Sequence, residues 1–87
     1  MPAWEVQAWN MVSVCEQHGE WHVEGSRSSG GLGILNENWV RYGGLAFAPD
    51  GGQATPDEQI VVAEHIQGSP PWWPGRAYGN CNGYHGW

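Results

Sequence analysis

The stretch WNMVSVCEQHGEW, residues 9–21, decides how the rest of the chain is read. Trp9, Val12 and Cys15 recur at the three-to-four-residue spacing of one helix face. Gly19 follows, at a point where helices commonly stop on a left-handed residue. This places Glu16 in the last helical turn, beside a cysteine and next to the buried stripe. A carboxylate is disfavoured there twice. The C-terminal end of the helix dipole repels negative charge, and partial burial disfavours the ionised form. Both effects push the pKa upward, as a general acid requires. The bland alternative is a solvated glutamate at a frayed helix end.

The chain has 87 residues, which reads as one small domain, 1–87, with a core modest enough to call for a staple. Its two cysteines are Cys15 and Cys81. A disulfide between them would close most of the chain, contribute about 4 kcal/mol in the loop-entropy model, and indicate an oxidising compartment. Two reduced thiols are the alternative. No apolar run approaches the roughly 20 residues needed to span a bilayer. Trp4, Glu5 and Gln7 interrupt any basic-then-apolar signal segment at the start. If the protein works outside a cell, something other than a signal segment in this chain must bring it there, and no membrane partner is expected.

Three arginines and no lysines stand against nine acidic residues, a formal net charge of -6. Binding a phosphate backbone needs clustered cations, so nucleic acid is excluded as a partner. Seven tryptophans, with many Asn, Gln and Gly, instead suit a neutral, hydroxyl-rich ligand such as a sugar. Some of those tryptophans, Trp9 among them, are expected to build the core of a chain poor in leucine and phenylalanine.

Taken in order, Pro2 stands near a helix start and a first helix runs from about Ala3 to Gln17. Trp21 and Val23 alternate with polar neighbours, and a Gly/Ser/Arg turn leads to Leu32, Ile34 and Leu35, the pattern of a short β-ribbon. Residues 36–42 read as a short helix with Trp39 and Tyr42 on one side, ended by Gly43-Gly44. Residues 45–54 read as an ordered loop carrying Phe47 and Pro49. Thr55-Pro56-Asp57-Glu58 is the clearest start signal: an N-cap, a proline at the first helical position and an acid able to close a capping box. The helix it starts should run to about Gln67, with Ile60, Ala63, Ile66 and one of Val61 or Val62 facing inward. The remainder has no period and reads as an irregular tail pinned by Trp73 and Cys81. The fold class is α+β: mostly helical, with a short ribbon.

An ordered set of motifs runs along the chain. It consists of Trp9, Val12, Cys15-Glu16, Gly19, Trp21, Gly30-Gly31-Leu32, Trp39, Tyr42-Gly43-Gly44, Ala48-Pro49, Gln53-Ala54, Gln59-Ile60, Val62-Ala63-Glu64, Trp73-Pro74 and Cys81. In this set the chain resembles the catalytic domain of the resuscitation-promoting factors, small lysozyme-like wall-cleaving proteins of actinobacteria. The resemblance implies a compact lysozyme-superfamily fold and a disulfide joining Cys15 to Cys81. It also implies Glu16 as catalytic acid/base and the β-1,4 glycan strand of peptidoglycan as substrate, with no cofactor.

The chain departs from the family pattern in three places. Gln17 stands where a serine usually follows the glutamate. The family's GGLQF ends here as Gly31-Leu32-Gly33-Ile34, losing an amide. The preceding loop is one residue shorter, with Glu24 in place of an Asn-Thr pair and Ser28-Ser29 in place of tyrosines. The Gly-Leu-Gly-Ile form, the terminal Gly83–Trp87 stretch and the absent signal segment resemble lysozyme-like domains carried by actinobacteriophages. Phage tail or lysin components are therefore expected partners.

Hydrolysis of a glycosidic bond usually needs a second carboxylate, about 5 Å from the first for retention or about 6.5–9.5 Å for inversion. A lytic transglycosylase needs none. Glu24 is the candidate partner, lying across the expected cleft, with a hydrogen bond to sugar or to Arg27 as its alternative. Glu20, Glu37 and Asp50 read as solvated or turn residues. Asn36, Asn38, Trp39 and Trp72 are candidate sugar-binding residues, Asn38 with a plain N-cap as its alternative and Trp39 with the core. Two other classes remain open. Cys15, His18 and His22, with Cys81 and His85, have zinc-ligand spacings, although Gly19 should part His18 from His22 and a disulfide would consume both thiols. A wall-binding module with the lysozyme shape but not its chemistry would keep the same residues without turnover.

Overall fold

The computed structural model describes residues 1–67. Helix α1 spans Ala3–Gln17, followed by strands β1 (Ser28–Ser29) and β2 (Ile34–Leu35), helix α2 (Asn36–Arg41) and helix α3 (Pro56–Gln67). Two single-turn 3-10 helices, Gly44–Ala46 and Gly51–Gln53, lie between α2 and α3. The strands pair antiparallel, Ser28 opposite Leu35 and Ser29 opposite Ile34. The fold is mostly helical with a two-stranded ribbon, as expected, but the ribbon is shorter than its apolar alternation implies. Trp21 and Val23 precede it in irregular chain. Trp21 packs against the core instead of pairing in a strand.

The helix bounds follow from local chemistry. In α3, Thr55 Oγ1 accepts from the Glu58 amide at 3.2 Å, while Glu58 Oε1 accepts from the Thr55 amide at 2.9 Å. This is a closed capping box. In α1 the left-handed stop falls on His18 (φ 56°) one residue before Gly19, which is left-handed as well (φ 79°). The His18 and Gly19 amides satisfy the carbonyls of Val14 and Ser13.

Trp9, Val12, Leu32, Ile34, Trp39, Ile60, Val62 and Ala63 form the core. Trp9 and Val12 are buried as their spacing predicts, but Cys15 is exposed and Ser13 takes the buried position on the third turn. Val62, not Val61, completes the inner face of α3. Trp39 corrects an expectation: it is fully buried, its Nε1 donates to the Ala48 carbonyl at 2.9 Å, and Gly44 lies against its ring, so it builds the core and offers no edge to a sugar. Cys81, Trp72, Trp73 and His85 lie outside the described residues. Cys15 is the one cysteine within residues 1–67.

Gln59 is the polar centre of the fold. It is fully buried on α3, and its Nε2 donates to the carbonyls of Trp21 (2.9 Å) and Ala54 (3.0 Å). Its Oε1 accepts from the Gly31 amide at 2.8 Å. Three separate loop segments are thereby held to one helix. Gln59→Leu leaves three buried backbone groups without partners, each costing about 1–3 kcal/mol. We expect chemical denaturation to show a loss of at least about 3 kcal/mol, with loosening centred on Trp21 and Gly31 in amide exchange.

A second polar contact joins α1 to α3. Glu5 is buried, Glu64 is half-buried, and the two side chains hydrogen-bond, which requires a proton between them. Trp9 Nε1 donates to Glu64 Oε2 at 3.1 Å. Loss of hydration and the bond to Glu5 push the Glu64 carboxyl up to about 8, against the opposing pull of the Trp9 N–H and with added repulsion from Glu5. The folded state therefore holds a proton that the unfolded chain releases near pH 4.5. Stability conferred by the protonated pair is full below about pH 4.5 and is lost as pH rises through about 8. Melting temperatures recorded across this window should fall with pH in the wild type, and Glu64→Gln should flatten the profile.

Candidate active site

Glu16 sits half-buried in the last turn of α1, where no basic residue offsets the helix end. The chain then reverses: the Glu20 amide donates to the Gln17 carbonyl at 2.9 Å, and Trp21 folds over Gly31. Gly31 has no room for a side chain, since a Cβ there would lie 2.6 Å from the Trp21 ring and 2.9 Å from Ser13 Oγ. This contact holds the Gly30–Gly33 turn against the end of α1. Gly33, at φ 67°, lies beside the candidate acid: a Cβ at Gly33 would stand 3.9 Å from Glu16 Oε2 and 3.2 Å from Gln17 Nε2. The two departures from the family pattern, at 17 and 33, thus meet at one place beside Glu16.

Glu24 has its own set of neighbours. It lies in the irregular chain before β1, with its carboxylate over Gly52, where a Cβ would have no space. Its partners are Asp50 and Gln53, not Arg27. Loss of hydration raises the Glu24 carboxyl above its ordinary value, and the hydrogen bond and repulsion from Asp50 add to this. The Gln53 hydrogen bond and nearby His22 pull it down. His22 is itself held, Nδ1 donating to the Gly52 carbonyl at 3.0 Å. Asp50, read from sequence as a turn residue, does cap its turn by accepting from the Gln53 amide at 3.2 Å. It is also the partner of Glu24, a long-range pairing that no local pattern announces.

The candidate sugar-binding amides divide. Asn36 lines an open hollow of about 270 Å³ with Ser26, Arg27, Leu35 and Glu37. Its amide is consumed by the fold, however: Oδ1 accepts from Ser29 Oγ at 2.8 Å and Nδ2 donates to the Gly25 carbonyl at 3.1 Å. Asn36 pins the ribbon to the loop before it. Asn38 is not a cap, because α2 is capped by Leu35 and Asn38 lies inside its first turn, half-buried. Trp72 lies outside the described residues. Among the described residues, no group of three or more His, Cys, Asp or Glu is placed to hold a metal ion.

Gln59 and the Glu5–Glu64 pair are what sequence reasoning missed. Gln59 and Glu64 both stood within the motif set, but which groups they bond depends on segments far along the chain.

Residues 3–75 match the family described as transglycosylase-like domain. Resuscitation-promoting factor Rpf2 of Corynebacterium glutamicum is 38% identical over 69 residues, covering 76% of this chain and 18% of that protein. Rpf1 of the same organism is 38% identical over 69 residues, with 76% and 36% covered. Resuscitation-promoting factor RpfB of Mycolicibacterium smegmatis is 36% identical over 69 residues, with 76% and 19% covered. The chain therefore spans between 18% and 36% of the length of these relatives. A family match across most of the chain leads to one conclusion: the chain belongs to the transglycosylase-like domain family, and over that region it is similar to resuscitation-promoting factors at 36–38% identity.

Proposed function

We propose that this domain cleaves the β-1,4 MurNAc–GlcNAc strand of peptidoglycan, with Glu16 as the general acid and then the base. The observation that carries the reading is the half-buried Glu16 carboxylate facing the side-chain-free Gly33 in a chain of this family. A glycan strand needs such clearance to bring its glycosidic oxygen within hydrogen-bond reach of an acid.

Glu24 favours the one-acid version of the chemistry. Its carboxylate is engaged with Asp50 and Gln53 over Gly52. In that version the Glu16 proton passes to the glycosidic oxygen as the C1–O bond breaks. The resulting carboxylate takes the proton of the sugar's own 6-hydroxyl as that oxygen bonds to C1. A 1,6-anhydro ring forms, no water is consumed, and Glu16 ends protonated as it began. Action at the wall places the domain outside the cytoplasm. We read it as phage-delivered, on the likeness of its Gly-Leu-Gly-Ile turn to actinobacteriophage domains.

Purified actinobacterial peptidoglycan, digested and read by mass spectrometry, tests this directly. The wild type should release 1,6-anhydro products. Glu16→Gln should lose about 10²–10⁴-fold in rate, and Glu24→Gln should retain most of the activity. Reducing ends, with Glu24→Gln inactive, would instead establish a two-carboxylate hydrolase. Binding without release by any variant would leave a wall-binding module.

The Cys15–Cys81 bridge belongs to the same proposal. An intact mass two hydrogens below that of the reduced chain should be found in protein prepared without reductant, and its absence would leave two thiols.

A further inference from the structure

Residues 1–66 contain seven side-chain amides, and their surroundings separate them sharply. Asn36 and Gln59 spend theirs on backbone and hydroxyl partners inside the fold. Gln53 bonds Asp50 and Glu24. Gln7 and Asn10 stand exposed on α1, and Asn38 lies within α2. Gln17 stands against Gly33, the turn residue beside Glu16. It is half-buried, its Nε2 lies 3.2 Å from the Cβ position of Gly33, and its amide has no hydrogen-bond partner among the described residues. A half-buried amide with no partner is an unspent donor and acceptor.

Backbone conformation supports a purpose for this arrangement. Gly33 is left-handed at φ 67°, so a side chain there would be strained whatever its size. The ribbon turn therefore cannot readily supply a polar group toward Glu16, and the neighbouring helix residue supplies one in its place. Adjacent helix positions point about 100° apart, yet Glu16 and Gln17 both reach Gly33 because α1 ends beside the turn.

We propose that the Gln17 amide is a sugar-positioning group of the Glu16 site. It hydrogen-bonds a neutral oxygen or acetamido group on the ring beside the bond that is cut, and so holds the glycosidic oxygen toward Glu16. The amide lost at position 33 is thereby returned from position 17. This inference rests on the glycan-cleaving reading above.

A peptide-free tetrasaccharide of alternating GlcNAc and MurNAc is the probe, with Glu16→Gln protein used to prevent turnover. Titration followed by NMR should shift the Gln17 side-chain amide protons saturably, in step with the Gly33 backbone amide. Gln17→Ala on the same background should weaken binding about tenfold, the value of one hydrogen bond of about 1.4 kcal/mol. In the active enzyme the same substitution should raise KM more than it lowers kcat. Its melting temperature should stay unchanged, which separates positioning from a structural role. Gln17→Asn, which keeps the amide on a shorter stem, should restore part of the affinity. Unchanged affinity in Gln17→Ala, or a Gly33 shift without a Gln17 shift, would overturn the inference. So would absence of tetrasaccharide binding in a protein that still cleaves whole peptidoglycan, and the glycosidase reading would survive that result. Saturable binding through Gln17 with no cleavage by the wild type would support the inference and sink the glycosidase reading.

Discussion

Burial of the Gln59 side chain is the constraint on which the rest depends. Taking an amide out of water is unfavourable unless each polar atom finds a partner. Here one buried amide satisfies the Gly31 amide and the carbonyls of Trp21 and Ala54. Those groups come from the reversal after α1, the glycine turn of the ribbon and the lead into α3. The first two of these flank the end of α1, so α3 supports the candidate site through Gln59. Gly30 has to be a glycine for the same reason: a Cβ there would collide with Gln59 Oε1.

The chain is acidic, and it handles its carboxyls in two contrasting ways. Glu5 and Glu64 are brought together between helices, where lost hydration and the hydrogen bond to Glu5 favour the protonated form of Glu64. Glu24 and Asp50 are brought together at the edge of a 3-10 turn, with Gln53 and His22 moderating the repulsion. Glu16 stands at the end of α1 beside the glycine turn. A general acid needs access to substrate, and the space left by Gly33 provides it next to Glu16.

Much of this was legible in the residues themselves. The 3–17 and 56–67 helices follow from apolar period, a glycine stop and a capping box, all of which act over a few residues. The ribbon was legible in place but not in length. Trp21 could pair in a strand or cover Gly31, and packing chose the second. Trp39 and Asn36 show the same limit. An aromatic or amide near a presumed cleft suits sugar binding, yet Trp39 fills the core and Asn36 fastens the ribbon.

What the sequence determined by itself was the kind of domain, the helices and the identity of the candidate acid. Periodicity, capping and an ordered motif set are local or linear properties, and a single chain carries them openly. The tertiary structure decided which polar groups are spent and which are free. Glu24 met Asp50, Glu5 met Glu64, and Gln17 met Gly33 across gaps of 26, 59 and 16 residues. Hydrogen bonds act over about 3 Å, so such pairings exist only once the backbone has closed those distances.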